Sequence, residues 1–328
     1  MNFWTRFAWG GGMRSCASWR RHELGQHGSE CKALPRRSSW TLSPSAPVPV
    51  CPAVCPIRPW HSVTNAADSC WWCWQPRARQ TGEVGAKPRA RELGVPFDGS
   101  PGPHNAITDV PGVEVGCTTL IEGEGQVQQG VGPIRTGCTA ILPRGHDARL
   151  RPIWAGLYAL NGNGEMTGSH WINDGGYFLS PIVITNTHSV GMCHHATVGW
   201  MIDHYAEEYT SQHLWAMPVI AETYDGGTND INGRHVKEEH VRAALDSAQS
   251  GPVAEGCTGG GTGMSCYGFK GGTGTASRTF LLGQGLGART CTVGALVQAN
   301  FGRRQDFVVR GVPVGTNPDV AAAHTAAA

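Results

Sequence analysis

Apolar and polar positions fall into two regimes along the chain. Up to about residue 95 no period of two or of 3.6 is sustained, and proline-rich pieces such as residues 44–59 resist regular structure. From Val95-Pro96-Phe97 onward the pattern is that of a folded domain. Residues 113–120 alternate as a half-buried strand does. Residues 138–142 and 152–160 read as further strands, and residues 181–186 form a nearly continuous apolar run that suits a strand buried on both faces. Residues 189–193 are expected to pair beside it. The period then lengthens. Val198, Met201, Ile202 and Tyr205 mark one face of a helix, and residues 218–221 return to strand. Val241, Ala244, Leu245 and Ala248 mark a second helix, running from about Val236 to Ser250-Gly251. Glu238 and Glu239 suit its positive N-terminus, and Gly251-Pro252 stops it. Residues 279–282, 291–299 and 306–310 read as the last strands. Strands interleaved with helices predict an α/β domain over residues 96–315, followed by a tail at 316–328.

Composition changes the picture mainly at the front. With 328 residues and 40% hydrophobic content, the chain can bury a sizeable core. The formal net charge of +1 hides an asymmetry. Residues 1–95 carry 13 Lys+Arg against 5 Asp+Glu, so the remainder is acidic. No global basic character points to nucleic acid, and no stretch is long and apolar enough to span a membrane. Eight of the twelve Trp lie in residues 1–95, which read as a disordered or non-native extension rather than a domain. Cys51, Cys55, Cys70 and Cys73 form two pairs that a zinc ion can bridge, but no strands flank them, and an accidental pairing is the preferred reading. No secretory signal precedes the cysteines, so a reducing, cytoplasmic setting with mostly free thiols is expected.

Candidate chemistry centres on Gly256-Cys257-Thr258-Gly259-Gly260-Gly261. A thiol directly after one glycine and just before three more is reachable and is expected to be flanked by exposed backbone N–H groups. Cys257 is open to three readings: a structural thiol, a nucleophile paired with a distant His, or an N-terminal nucleophile released by self-cleavage. In the last case the new α-amino group serves as base, since it titrates at about 7.7–8.0. Residues 259–263 also resemble a phosphate cradle, but the Gly-Lys-Ser/Thr ending of a P-loop is missing. Two polar loops, residues 161–168 and 224–233, combine amides, carboxylates and glycines. They read either as Asx-stabilised turns or as donors to a pocket. His188 and His194-His195 suggest a metal, yet adjacent histidines on a strand point to opposite faces, so neither a metal nor a cofactor is expected.

These motifs, in order, resemble the DmpA-type aminopeptidase family: Ala106-Ile107-Thr108-Asp109-Val110-Pro111-Gly112, the loop before Gly168, Thr185-Asn186-Thr187-His188-Ser189, the loop before Gly233, the Cys257 stretch, and Phe269-Lys270-Gly271-Gly272. The resemblance runs from about Arg89 to Gly315. It implies an α/β fold of the αββα sandwich type, cut by the protein itself into an α chain ending at Gly256 and a β chain beginning at Cys257. The nucleophile is usually Ser or Thr in that family and falls here on Cys257. The oxyanion asparagine falls on Asn229 and a supporting tyrosine on Tyr158. A second Ser and a Glu of the β-aminopeptidases fall on Ala299 and Phe301, so that part of the machinery is not carried over. Family members continue beyond Gly311-Val312-Pro313-Val314-Gly315, which implies that the C-terminal part of the sandwich is missing here.

The resemblance therefore implies an autoprocessing aminopeptidase/amidase. Its partners would be small peptides, amides or esters, with neither nucleic acid nor membrane, and it would assemble as a homo-oligomer of αβ units. Two other classes compete: a catalytically impaired, truncated homologue that acts as a binding module, and a nucleotide-binding protein using the glycine loop.

Overall fold

A computed structural model describes residues 88–320 of this chain, apart from Ala148, His213 and Asp319. A 3-10 turn (Ile107–Asp109) leads into β1 (Glu114–Glu122) and β2 (Ile134–Leu142). Then come β3 (Ile153–Trp154), helix α1 (Ser169–Gly175), β4 (Tyr177–Phe178) and β5 (Ile182–Asn186). Helices α2 (Val190–His204) and α3 (Ala206–Ser211) carry the chain to β6 (Val219–Thr223), and α4 (Glu238–Asp246) follows. The last part holds β7 (Ser265–Cys266), β8 (Phe269–Lys270), β9 (Gly272–Leu282) and β10 (Arg289–Ala299).

One sheet has the order β1-β2-β5-β6, with β5 and β6 parallel and the other pairs antiparallel. The parallel step needs a crossover, which α2 and α3 supply. Successive strand residues face opposite ways, so β2 serves two layers. Cys138, Ala140 and Leu142 join Val183 and Ile220 against α2 and α4, whose Cys193, Ala196, Trp200, Met201, Val241, Ala244 and Leu245 complete an apolar core. Ile141, with Val115, Ile182 and Val219, faces the opposite way, toward Ile107, Ile172, Phe178 and Leu296 of β10. The antiparallel ribbon of β9 and β10 lies on that second side. The described residues thus supply three layers of the expected sandwich: helices, sheet and ribbon. Asp109 ties the ribbon to the turn that precedes β1. It accepts hydrogen bonds from Ser277 Oγ (2.6 Å) and from the backbone N–H groups of His104 and Ala106 (3.0 Å each).

Both expected helices and most strands lie where the apolar periods predict them, with five differences. Residues 189–193 do not form a strand. Asn186 accepts the His188 N–H at 3.1 Å and turns the chain, and the buried set Val190, Cys193, Ala196, Thr197, Trp200 and Met201 recurs at helical spacing. Ile202, expected on the core face, is 45% exposed because the stripe is centred on Trp200 and Met201 instead. His194 and His195 therefore sit on a helix, not on a strand. Residues 152–160 pair only over Ile153–Trp154, since the Pro and Gly content there leaves no longer ladder. Residues 306–310 hold the end of a 3-10 turn (Arg304–Asp306) and one bridge from Val309 to Val312 instead of a strand. Helix α1 was not foreseen, because only Ile172 of its seven residues is buried and no stripe is visible.

The described residues before 96 pack against the domain. Arg89 donates to the carbonyls of His104, Asn105 and Thr275, and the Arg91 guanidinium lies 5.5 Å from the Phe97 ring centroid. Beyond residue 315, Val320 is buried. No described helix is long and apolar enough to cross a membrane.

Leu245 is fully buried between α4 and the sheet. Leu245→Ala should lower unfolding stability by about 2–5 kcal/mol, the usual range for emptying such a site. Chemical denaturation should show a lower midpoint at an unchanged slope.

Candidate active site

After α4 the chain runs along the edge of β9. Glu255 accepts the Thr275 N–H (2.9 Å) and pairs with the Arg89 guanidinium (2.7 Å). Gly256 then makes an antiparallel bridge with Thr273. The Gly256 N–H donates to the Thr273 carbonyl at 2.8 Å, and the Thr273 N–H donates to the Gly256 carbonyl at 2.8 Å. That carbonyl accepts a further bond from the Thr258 N–H at 2.8 Å, closing a three-residue turn with Cys257 at its centre. The peptide bond preceding Cys257 therefore has its carbonyl oxygen held by two backbone donors. Gly272 makes the approach possible. At φ +146° it sits where a Cβ would lie 2.4 Å from the Gly256 oxygen and 2.6 Å from its carbonyl carbon. The Cys257 thiol is free and exposed.

Gly259, Gly260 and Gly261 form a buried 3-10 turn between sheet and ribbon. A Cβ on Gly260 would lie 2.4 Å from the Ile184 carbonyl oxygen, and one on Gly261 would lie 2.4 Å from the Thr273 nitrogen. Their N–H groups are not exposed donors, contrary to expectation. Gly259 donates to Thr119 Oγ1 (2.8 Å), Gly260 to Thr139 Oγ1 (3.1 Å) and Gly261 to the Thr258 carbonyl (3.0 Å). A phosphate cradle needs such groups free, so the nucleotide-binding reading loses its basis. Glycine serves close packing at these positions.

Of the two polar loops, residues 161–168 are mostly exposed, with Asn161 accepting the Asn163 N–H in a local turn. The other loop enters the core. Asp225, Asn229 and Asp230 are each at most 2% exposed. Asn229 Oδ1 accepts the Arg135 N–H (3.0 Å), and its Nδ2 donates to Asp225 Oδ1 (3.0 Å). Thr228 Oγ1 donates to the Gly263 carbonyl (2.6 Å), which joins this loop to the end of the glycine segment. Tyr158 is 74% exposed and has no hydrogen bond to Cys257 or Asn229. The structure thus gathers Gly256, Cys257 and the three glycines against Thr273, links the Asn229 loop to the same segment through Gly263, and leaves Tyr158 on the surface. Cys51, Cys55, Cys70 and Cys73 lie outside the described residues. Among the described residues, no group of three or more His, Cys, Asp or Glu is placed to hold a metal ion.

Asp225 was not singled out from the sequence. Burial pushes its pKa up to about 6, and hydrogen bonds from Thr136 and Asn229 offset only part of that. Its Oδ2 is buried with no hydrogen-bond partner among the described residues. The polar network extends through Asn186, whose Nδ2 donates to Thr136 Oγ1 (2.7 Å). Nothing in the run Tyr224-Asp225-Gly226-Gly227 distinguishes a buried acid from a surface turn. The roles of Gly272 and Thr273 depend on what β9 lies against, which no local pattern contains.

The site is thus an exposed thiol directly after a glycine whose carbonyl accepts two backbone N–H bonds, set in a layered α/β fold. The chain belongs to peptidase family S58, whose family model matches residues 105–325. It is 54% identical to the beta-peptidyl aminopeptidase BapA of Sphingosinicella microcystinivorans over 247 residues, covering 74% of this chain and 60% of that protein. Among solved structures it resembles the L-aminopeptidase D-Ala-esterase/amidase of Ochrobactrum anthropi, described as a variant of the Ntn hydrolase fold. The TM-score is 0.66 and the identity 59%, over 71% of this chain and 63% of that one. A Burkholderia sp. beta-aminopeptidase matches with TM-score 0.60 and 48% identity, over 70% and 61% of the two chains. This chain therefore spans about three fifths of the length of these relatives.

The raised Asp225 pKa gives a measurable pH dependence. The folded pKa of about 6 exceeds the usual value near 3.8, so the folded state holds this proton more tightly than the unfolded chain. The associated stability is present below pH ~4 and is lost as pH rises through about 6. Asp225→Asn removes the titration. Relative to the parent, its unfolding free energy should rise by about 3 kcal/mol between pH 4 and pH 7, since each pKa unit is worth about 1.4 kcal/mol. Denaturation at a series of pH values measures the difference.

Proposed function

We propose that this protein is an autoprocessing aminopeptidase/amidase that removes N-terminal residues from small peptides, amides or esters. The observation that carries the reading is the Gly256 carbonyl, held at 2.8 Å by two backbone N–H groups directly before an exposed thiol. Membership of a peptidase family and relatives named as aminopeptidases support it.

In the first stage Cys257 Sγ attacks the Gly256 carbonyl carbon. The S–C bond forms, the C–N bond to Cys257 breaks, and the thiol proton passes to the departing nitrogen. Water cleaves the resulting thioester, leaving a Gly256 carboxylate and a Cys257 that bears both thiol and α-amine. In the second stage the α-amine takes the thiol proton while sulfur attacks a substrate carbonyl, then returns it to the leaving amine. Water releases the acid. Family resemblance assigns Asn229 as the oxyanion donor, and its Nδ2 retains a second hydrogen after bonding Asp225. Tyr158 is assigned a supporting role toward substrate. The working form is proposed to be a homo-oligomer of αβ units in the cytoplasm, where thiols stay reduced.

Intact-mass measurement after expression tests the reading. Two fragments meeting at the bond between Gly256 and Cys257 are expected, and Cys257→Ala should leave a single chain without anilide hydrolysis. A parent chain that stays whole and hydrolyses no aminoacyl anilide would overturn it.

A further inference from the structure

The two thioesters of the proposed reaction are the same chemical species at sulfur. In self-cleavage the acyl group on Cys257 Sγ is Gly256; in turnover it is the N-terminal residue of the substrate. Whatever holds the first acyl group in place is correctly positioned for the second. In the uncleaved chain that holder is visible. The Thr273 and Thr258 N–H groups donate to the Gly256 carbonyl, and the Thr273 carbonyl accepts the Gly256 N–H, all at 2.8 Å.

We infer that the backbone of Thr273, together with the Thr258 N–H, is an acyl clamp that acts twice, first on Gly256 during self-cleavage and then on an incoming α-aminoacyl group. This rests on the aminopeptidase reading above. In the second use the substrate carbonyl takes the two N–H donors, and its free amino group donates to the Thr273 carbonyl, where the Gly256 N–H now lies. The clamp has to be vacated between the two uses. Residues 252 and 254–257 are exposed, and this stretch is held by the Glu255 side chain, through Arg89 and Thr275, and by Val253 against the core, so the new Gly256 carboxylate itself has a way out.

The clamp also accounts for two features that the proposed mechanism leaves unused. Gly272 has no Cβ because one would strike the carbonyl being clamped. Thr273 Oγ1 donates to the Thr258 carbonyl at 3.0 Å, holding the residues that carry the two donors at a constant spacing. The clamp sets the distance between carbonyl and amine at one carbon, as in an α-amino acid.

The test converts the Thr273 N–H to an ester oxygen in the full-length chain, using the α-hydroxy analogue of threonine, which leaves every side chain in place. Self-cleavage is followed by intact mass. Turnover of glycyl p-nitroanilide is expressed per labelled Cys257 thiol in the cleaved fraction. Both rates should fall on the order of 100-fold, the usual loss for one oxyanion donor. Gly272→Ala should also stall self-cleavage; if that variant does not fold, the ester variant decides alone. Unchanged self-cleavage overturns the clamp. Slowed self-cleavage with normal turnover overturns its second use. If the unmodified chain cleaves itself but hydrolyses no anilide, the aminopeptidase reading falls and takes the second use with it, while the mass measurement still decides the first.

Discussion

The paired hydrogen bonds between Gly256 and Thr273 set the terms for the rest of this structure. For that bridge to form, the segment after α4 must lie against β9, and β9 must present a residue without a side chain at position 272. The chain must next turn away from β9 at once, which the Thr258-to-Gly256 hydrogen bond achieves, and then thread between sheet and ribbon. That passage is narrow enough that the backbone of β5 and the start of β9 occupy the space where side chains on Gly260 and Gly261 would go. A single geometric demand, a carbonyl held open to attack, thus propagates into a run of glycines and a ribbon laid across a sheet.

The two sides of the sheet are chemically unlike. Toward α2 and α4 the core is apolar and close to featureless. Toward the ribbon an apolar patch around Ile141 and Leu296 adjoins a polar set, Thr119, Thr139, Asn186, Asp225, Asn229 and Thr273, whose polar groups are largely satisfied by backbone partners. Burying polar groups costs little when each is paired, and such networks hold one arrangement rather than many. Among the described residues Asp225 Oδ2 and Gln298 Oε1 are buried there without a hydrogen-bond partner, and burial raises the Asp225 pKa. Asp225 supports Asn229, so the cost falls where the proposed chemistry needs a fixed amide.

Much of the fold was legible from periods of two and 3.6, because β1, β2, β5, β6, α2 and α4 each bury a face that the sequence marks, while β9 and β10 follow strand-forming runs that stay largely half-buried or exposed. Helix α1 carries one buried residue and leaves no such trace. The segment after Asn186 looked like a strand, since Val190 and Cys193 fit either period over so short a stretch; the turn capped by Asn186 resolves it as a helix. At the site, the thiol of Cys257 directly after Gly256 was legible locally, while the Asn229 assignment comes from family resemblance alone. Tyr158 lies on the surface, and nothing around it in the described residues explains the assignment.

By itself the sequence determined the local choices: which residues turn helical, where helices stop, and which thiols follow a glycine. Only the tertiary structure decided which backbone N–H groups remain available. The glycine donors that seemed open are taken by Thr119 and Thr139, 140 and 121 residues away in the chain. The donors that do face the Gly256 carbonyl belong to Thr258 and Thr273, neither of which has a distinctive sequence signal. Every residue but proline carries the same N–H group, so its availability depends on what the fold brings opposite it, and that is a long-range property no local pattern contains.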